Sequence, residues 1–129
     1  MLQNRKAVFL SGVFSLALTL SRVAYAETKN PVEATQDSIA KGQSIYKKNC
    51  QMCHGEKGTG DGPAARNLKK KPFNFTQKAE LEKLTDEEMF KVISKGEDPM
   101  PPFERKLSET DRWHVINFIR TFPGKDSSN

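Results

Sequence analysis

The chain has 129 residues, of which 21 are basic and 16 acidic, and a formal net charge of +5. That length holds one domain, and with 36 % apolar residues its side chains alone make only a modest core. No stripe of Lys and Arg is interleaved with aromatic residues, so the positive charge does not point to nucleic acid.

The N-terminus explains much of that charge. Arg5 and Lys6, the uncharged and mostly apolar residues 7–20, and the small-residue pattern Ala24-Tyr25-Ala26 read as a secretory signal peptide over residues 1–26. The apolar run is 14 residues, short of the about 20 that a membrane-spanning helix needs, so cleavage is expected and the mature chain should hold no membrane span. No cysteine near the cleavage site could take a lipid. Export would deliver the protein to the periplasm. Loss of Arg5, Lys6 and Arg22 leaves 18 basic against 16 acidic side chains, a net charge near +2.

Residues 27–36 are polar with one proline and are expected to be mobile. Asp37 can then cap a helix over residues 37–49, which puts Ile39, Gly42, Ile45 and Tyr46 on one face. Gly42 in mid-helix costs about 1 kcal/mol relative to Ala, so its position predicts close approach of another helix. The helix ends at Cys50-Gln51-Met52-Cys53-His54. Residues 55–76 are rich in Gly and Pro and make a long loop. Thr85-Asp86-Glu87-Glu88 is a capping box that opens a second helix, with Met89, Val92 and Ile93 as its apolar stripe and Gly96 as its stop. Ser108-Glu109-Thr110-Asp111 opens a third, to about Thr121, with Val115, Ile116, Phe118, Ile119 and Phe122 in one sector and Trp113 at its margin. Residues 123–129 form a polar tail. With no clear strand, the chain is expected to be all-α, its domain covering residues 37–122.

The two cysteines carry the chemistry. A disulfide between Cys50 and Cys53 would close too short a loop to stabilise much and would resemble a redox dithiol instead. A thioredoxin-like fold, however, needs strands alternating with helices. A zinc site would have to use Cys50, Cys53, His54 and His114, and neighbours such as Cys53 and His54 rarely point at one tetrahedral metal. The next residue decides, because Cys50, Cys53 and His54 form CxxCH, in which two thiols bond the vinyl groups of a porphyrin and the imidazole reaches its iron. One covalent haem c is therefore expected.

The order CxxCH, Gly58-Thr59-Gly60-Asp61-Gly62-Pro63, a capped helix, Asp98-Pro99-Met100-Pro101-Pro102-Phe103 and a final helix bearing Trp113 resembles class I mono-haem cytochrome c in its bacterial forms. The resemblance spans residues 37–122. It implies three main helices wrapped around the haem, with the first and last crossing near Gly42 and Tyr46 against Phe118. It also implies that the Pro63 carbonyl accepts a hydrogen bond from the His54 ring, fixing the tautomer that frees the other nitrogen for iron.

The distal ligand follows by elimination among four methionines. Met1 is in the signal, Met52 lies between the tethered cysteines, and Met89 sits on a helical stripe where core packing explains it. Met100 stands between Pro99 and Pro101-Pro102, which forbid a helix, hold the chain extended and let a loop present the sulfur. His114 competes, but it falls outside the apolar sector of the last helix and should face solvent. A neutral imidazole and a thioether fill both axial positions and favour ferrous iron, which suits single-electron transfer between a donor and an acceptor protein. On this basis the chain is no enzyme, and a monomer meeting its partners transiently. Two alternatives stand beside the carrier: a haem subunit of a periplasmic oxidoreductase, and a ligand-binding sensor or peroxidase should Met100 be labile. Lys69, Lys70 and Lys71, with Lys47 and Lys48, could steer docking to an acidic partner or simply be solvated, and Arg66 is a candidate partner for a haem propionate.

Overall fold

A computed structural model describes residues 29–124. The signal-peptide reading of residues 1–26 and most of the polar tail, residues 125–129, lie outside the described residues. Within them the chain is all-α: α1 (Gln36–Asn49), α2 (Gln51–His54), α3 (Lys78–Leu81), α4 (Asp86–Lys95) and α5 (Glu109–Ile119), with a 3-10 turn at Pro63–Asn67 and another at Phe122–Gly124. The three expected helices are α1, α4 and α5, and the described residues hold no strand.

Both capping boxes form. The Thr85 hydroxyl accepts the Glu88 amide at 3.1 Å while the Glu88 carboxylate accepts the Thr85 amide at 2.8 Å. Ser108 and Asp111 repeat the exchange at 3.1 and 3.3 Å and open α5. At α1 the cap is Thr35 and not Asp37: the Thr35 hydroxyl accepts the Ser38 amide at 3.2 Å. Asp37 falls in the first turn instead, where its charge favours the positive end of the helix dipole.

The crossing of α1 and α5 organises the rest. A Cβ at Gly42 would lie 2.0 Å from the His114 carbonyl oxygen and 2.9 Å from the Phe118 Cβ, so only the missing side chain lets the backbones meet. One turn later the Tyr46 ring packs 5.2 Å from Phe118 and 5.3 Å from Phe122. The Tyr46 hydroxyl donates to the Gly55 carbonyl at 2.8 Å, which ties the crossing to the residue after CxxCH. From α5, Arg120 bonds Asp86 at 2.7 Å and the Leu81 and Leu84 carbonyls at 2.7 and 2.5 Å, fastening the α3–α4 connection.

Two expectations need correction here. His114 does not face solvent freely: it is half-buried, with Nδ1 2.8 Å from the Ser38 hydroxyl, because the close approach at Gly42 lays α1 over that flank of α5. Residues 30–35, expected to be mobile, run along α5. The Asn30 amide donates to the Trp113 carbonyl at 3.1 Å and to Asn117 Oδ1 at 2.9 Å, and Asn117 Nδ2 donates to the Val32 carbonyl at 2.9 Å. Asn117 also donates to the Ser38 hydroxyl at 2.9 Å, so its buried amide is satisfied by three residues, two from the segment before α1 and one from α1.

Candidate functional site

The helices and the long loop enclose a cavity of about 370 Å³. Cys50, Cys53, His54 and Met100 all face it, four of the five residues that the sequence nominates. Its walls come from α4 (Met89, Val92, Ile93), α5 (Val115, Ile119) and the loop (Leu68, Pro72, Phe73, Phe75), so it is apolar almost throughout. Met89 is therefore both core and cavity wall, whereas Met52 is 63 % exposed and turned away.

CxxCH is placed by a helix that breaks and restarts. The Cys50 amide still donates to the Tyr46 carbonyl at 2.8 Å, continuing α1, and the His54 amide donates to the Cys50 carbonyl at 2.9 Å within α2. The loop then folds back on this turn, with Gly60 donating to the His54 carbonyl at 2.8 Å and Gly62 to the Cys53 carbonyl at 3.1 Å. The two thiols are free, and burial, then the neighbouring Cys53 sulfur, pushes the Cys50 thiol up to about 12. That is the reverse of the lowered thiol that a redox dithiol needs. Among the described residues no three His, Cys, Asp or Glu side chains gather as a metal cage.

His54 is stacked on Phe75, ring centroids 4.7 Å apart and planes 20° from parallel. Burial holds its imidazole below the ordinary histidine value, the bond to the Phe73 carbonyl acting the other way. Nδ1–H donates to that carbonyl at 3.4 Å, which leaves Nε2 as the free nitrogen. The partner expected for this proton, the Pro63 carbonyl, is not the one that takes it. Pro63 is exposed, lies outside the cavity lining and opens the 3-10 turn, whose carbonyls serve its own amides.

Met100 arrives on a tight turn and not on extended chain. The Glu97 amide donates to the Met100 carbonyl at 3.0 Å and the Met100 amide to the Glu97 carbonyl at 2.7 Å, around a cis Asp98–Pro99 bond. Past the prolines, Phe103 and Glu104 donate to the Ile93 and Ser94 carbonyls at 3.0 and 3.2 Å and dock the return on α4. The prolines exclude helix, as the sequence implies, but the turn supplies the positioning.

The lysines of the loop divide. Lys70 and Lys71 line the cavity, Lys70 paired with Glu97 and Lys71 reaching toward the Ala65 carbonyl at 3.4 Å. Arg66 is exposed and outside the lining. Phe73 and Phe75 are wall residues that helical periodicity could not find, although the alternation Pro72-Phe73-Asn74-Phe75 in a polar loop is a visible sign of a second apolar surface.

The donor set fits a haem c. Two free thiols, an imidazole with one nitrogen engaged and the other free, and a thioether surround one apolar space. The family model described as cytochrome C oxidase, cbb3-type, subunit III matches residues 37–119. Cytochrome c6 of Petalonia fascia is 30 % identical over 81 residues, 63 % of this chain and 88 % of that protein. Among solved structures, a chain of the Kuenenia stuttgartiensis reducing HAO-like protein complex Kustc0457/Kustc0458 superposes with a TM-score of 0.62 at 30 % identity; the match covers 71 % of this chain and less than half, 46 %, of that one. The KustC0563 c-type cytochrome gives a TM-score of 0.56 at 26 % identity, over 63 % of this chain and 95 % of its own. No helix among the described residues is long and apolar enough to cross a membrane. The fold is the all-α cytochrome c fold, and the chain belongs to the cytochrome c family of the cbb3-type subunit III model, whose cofactor is haem c.

Proposed function

We propose that this chain is a periplasmic electron carrier with one haem c, which Cys50 and Cys53 would attach and whose iron His54 and Met100 would ligate. The single observation that carries this is the convergence of both thiols, the imidazole and the thioether on one apolar cavity. When bound, the haem supplies a one-electron couple. The protein's part would be to hold the iron through His54 and Met100, to exclude water with Met89, Ile93, Val115 and Ile119, and to change little between oxidation states. The chain relays electrons and catalyses no reaction of its own, in keeping with its likeness to a cytochrome c6.

The test is spectroscopic. Haem should stay with the polypeptide through acid–acetone extraction, in a ratio of one to one, and carbon monoxide should enter the ferrous form only slowly, at the rate at which Met100 leaves the iron. Immediate carbon monoxide binding by the native protein would favour the sensor or peroxidase reading. A second reading, a haem subunit of a larger oxidoreductase, is favoured by one observation, the similarity to a chain from the reducing HAO-like protein complex. Stable co-purification of a second protein would establish it.

Docking charge is better sought at Lys47, Lys48 and Lys69 than at Lys70, whose ammonium is engaged by Glu97. All three are exposed, and Lys47 and Lys48 form the last turn of α1 beside Cys50. Their joint replacement by Gln should slow electron exchange with an acidic partner at low ionic strength and matter little at high salt. Equal rates at low salt would make them ordinary solvated charge.

A further inference from the structure

Residues 68–75 touch both ends of the axis on which the carrier reading rests. At one end the Phe73 carbonyl accepts the His54 ring proton at 3.4 Å and the Phe75 ring stacks on the imidazole. At the other end the Lys70 ammonium pairs with the Glu97 carboxylate. Glu97 is the residue whose amide and carbonyl close the turn with Met100.

The two ends of that turn are held differently. Its return is fastened to α4 by the Phe103 and Glu104 amides and by the Lys95–Glu104 ion pair at 2.6 Å. Its start follows Gly96, which has φ +74° and where a Cβ would meet the Met100 carbonyl at 2.6 Å. The start thus leaves α4 through a left-handed glycine and is joined to the loop wall by the Lys70 side chain.

We propose that Lys70 and Glu97 form a latch that sets how long Met100 stays on the iron. Both are positioning residues, and residues 68–75 are a strap tying the distal turn to the proximal histidine. This deepens the proposed function and depends on its assignment of Met100 as the distal ligand. The latch is exposed, 66 % at Lys70 and 57 % at Glu97, so its hold is modest and open to screening by ions. Distal lability is then a property of a surface pair that salt or a docking partner's charges can tune.

The test is a double-mutant cycle on the haem-loaded protein. Lys70→Gln and Glu97→Gln should each speed carbon monoxide entry into the ferrous form by about two- to fivefold at low salt, the size expected of one exposed ion pair. The double variant should be no faster than either single one, since each removes the same bond. The reversed pair, Lys70→Glu with Glu97→Lys, should restore slow entry. In about 1 M NaCl the wild type should approach the variants, because screening at that strength acts within about 3 Å. Hydrogen exchange at the Met100 amide, which reads the turn and not the spectrum, should quicken by the same factor. Additive single effects, or no change in either readout while the wild type keeps its far-red ferric band, overturn the latch alone. A wild type without that band overturns the Met100 assignment and the latch with it.

Discussion

Gly42→Ala should lower the melting temperature of the haem-loaded protein by about 10 °C or more, through overpacking worth about 3 kcal/mol at the helix crossing. The added methyl carbon would sit 2.0 Å from the His114 carbonyl oxygen and 2.9 Å from the Phe118 Cβ. Neither neighbour is the end of a flexible side chain, so relief requires α1 and α5 to move apart. That motion would loosen Tyr46 from Phe118 and Phe122, strain the 2.8 Å bond from Tyr46 to Gly55, and so disturb the turn that carries Cys53 and His54. Gly124→Ala is the control, since a Cβ there meets nothing within 4 Å. Thermal unfolding followed by circular dichroism decides it: a Gly42→Ala protein that melts with the wild type would mean the crossing is not as tight as its geometry.

Much of this arrangement is legible in the residues. The caps at Thr85 and Ser108 are local, each needing only a hydroxyl and a carboxylate three residues on, and both form as the sequence implies. At α1 the sequence nominates Asp37, but the cap is Thr35, whose hydroxyl reaches the Ser38 amide. Gly42 announced the crossing because a mid-helix glycine has a cost that something must offset. What stayed hidden depends on where distant chain meets. No period in residues 30–35 shows that Asn30 will find Asn117, 87 positions on, or that α1 will cover His114. The acceptor for the His54 proton is set by the path of the loop over 19 residues, and it is Phe73.

The methionines show the same boundary within one site. The α4 stripe places Met89 in the core, and it is there, 6 % exposed. Because the cavity is bounded by the core, Met89 and Met100 both reach it, and burial alone does not separate a packing thioether from a ligating one. Backbone context does. Met89 is fixed on a helix among Ile93 and Val92, whereas Met100 lies on a turn closed by its own backbone bonds and flanked by prolines that commit the chain to it.

Met100→Ala should therefore abolish the weak far-red band of the ferric protein, lower the reduction potential and admit carbon monoxide or cyanide to the iron. Loss of the thioether removes the ligand that favours the ferrous state, and a one-electron couple changes its equilibrium tenfold for about 59 mV. Even a modest drop would then reverse electron flow between closely poised partners. Three controls bear on the assignment. Met52→Ala should change nothing at the haem, since that side chain is 63 % exposed. His114→Ala should leave the spectrum intact, because its ring bonds Ser38 at the α1–α5 contact and does not line the cavity. Met89→Ala should cost about 2–5 kcal/mol of stability, as large-to-small changes in a core do, yet keep the band. The opposite pattern, in which Met100→Ala keeps the band and Met89→Ala loses it, would move the distal ligand onto α4 and make the proline turn a wall of the cavity and nothing more.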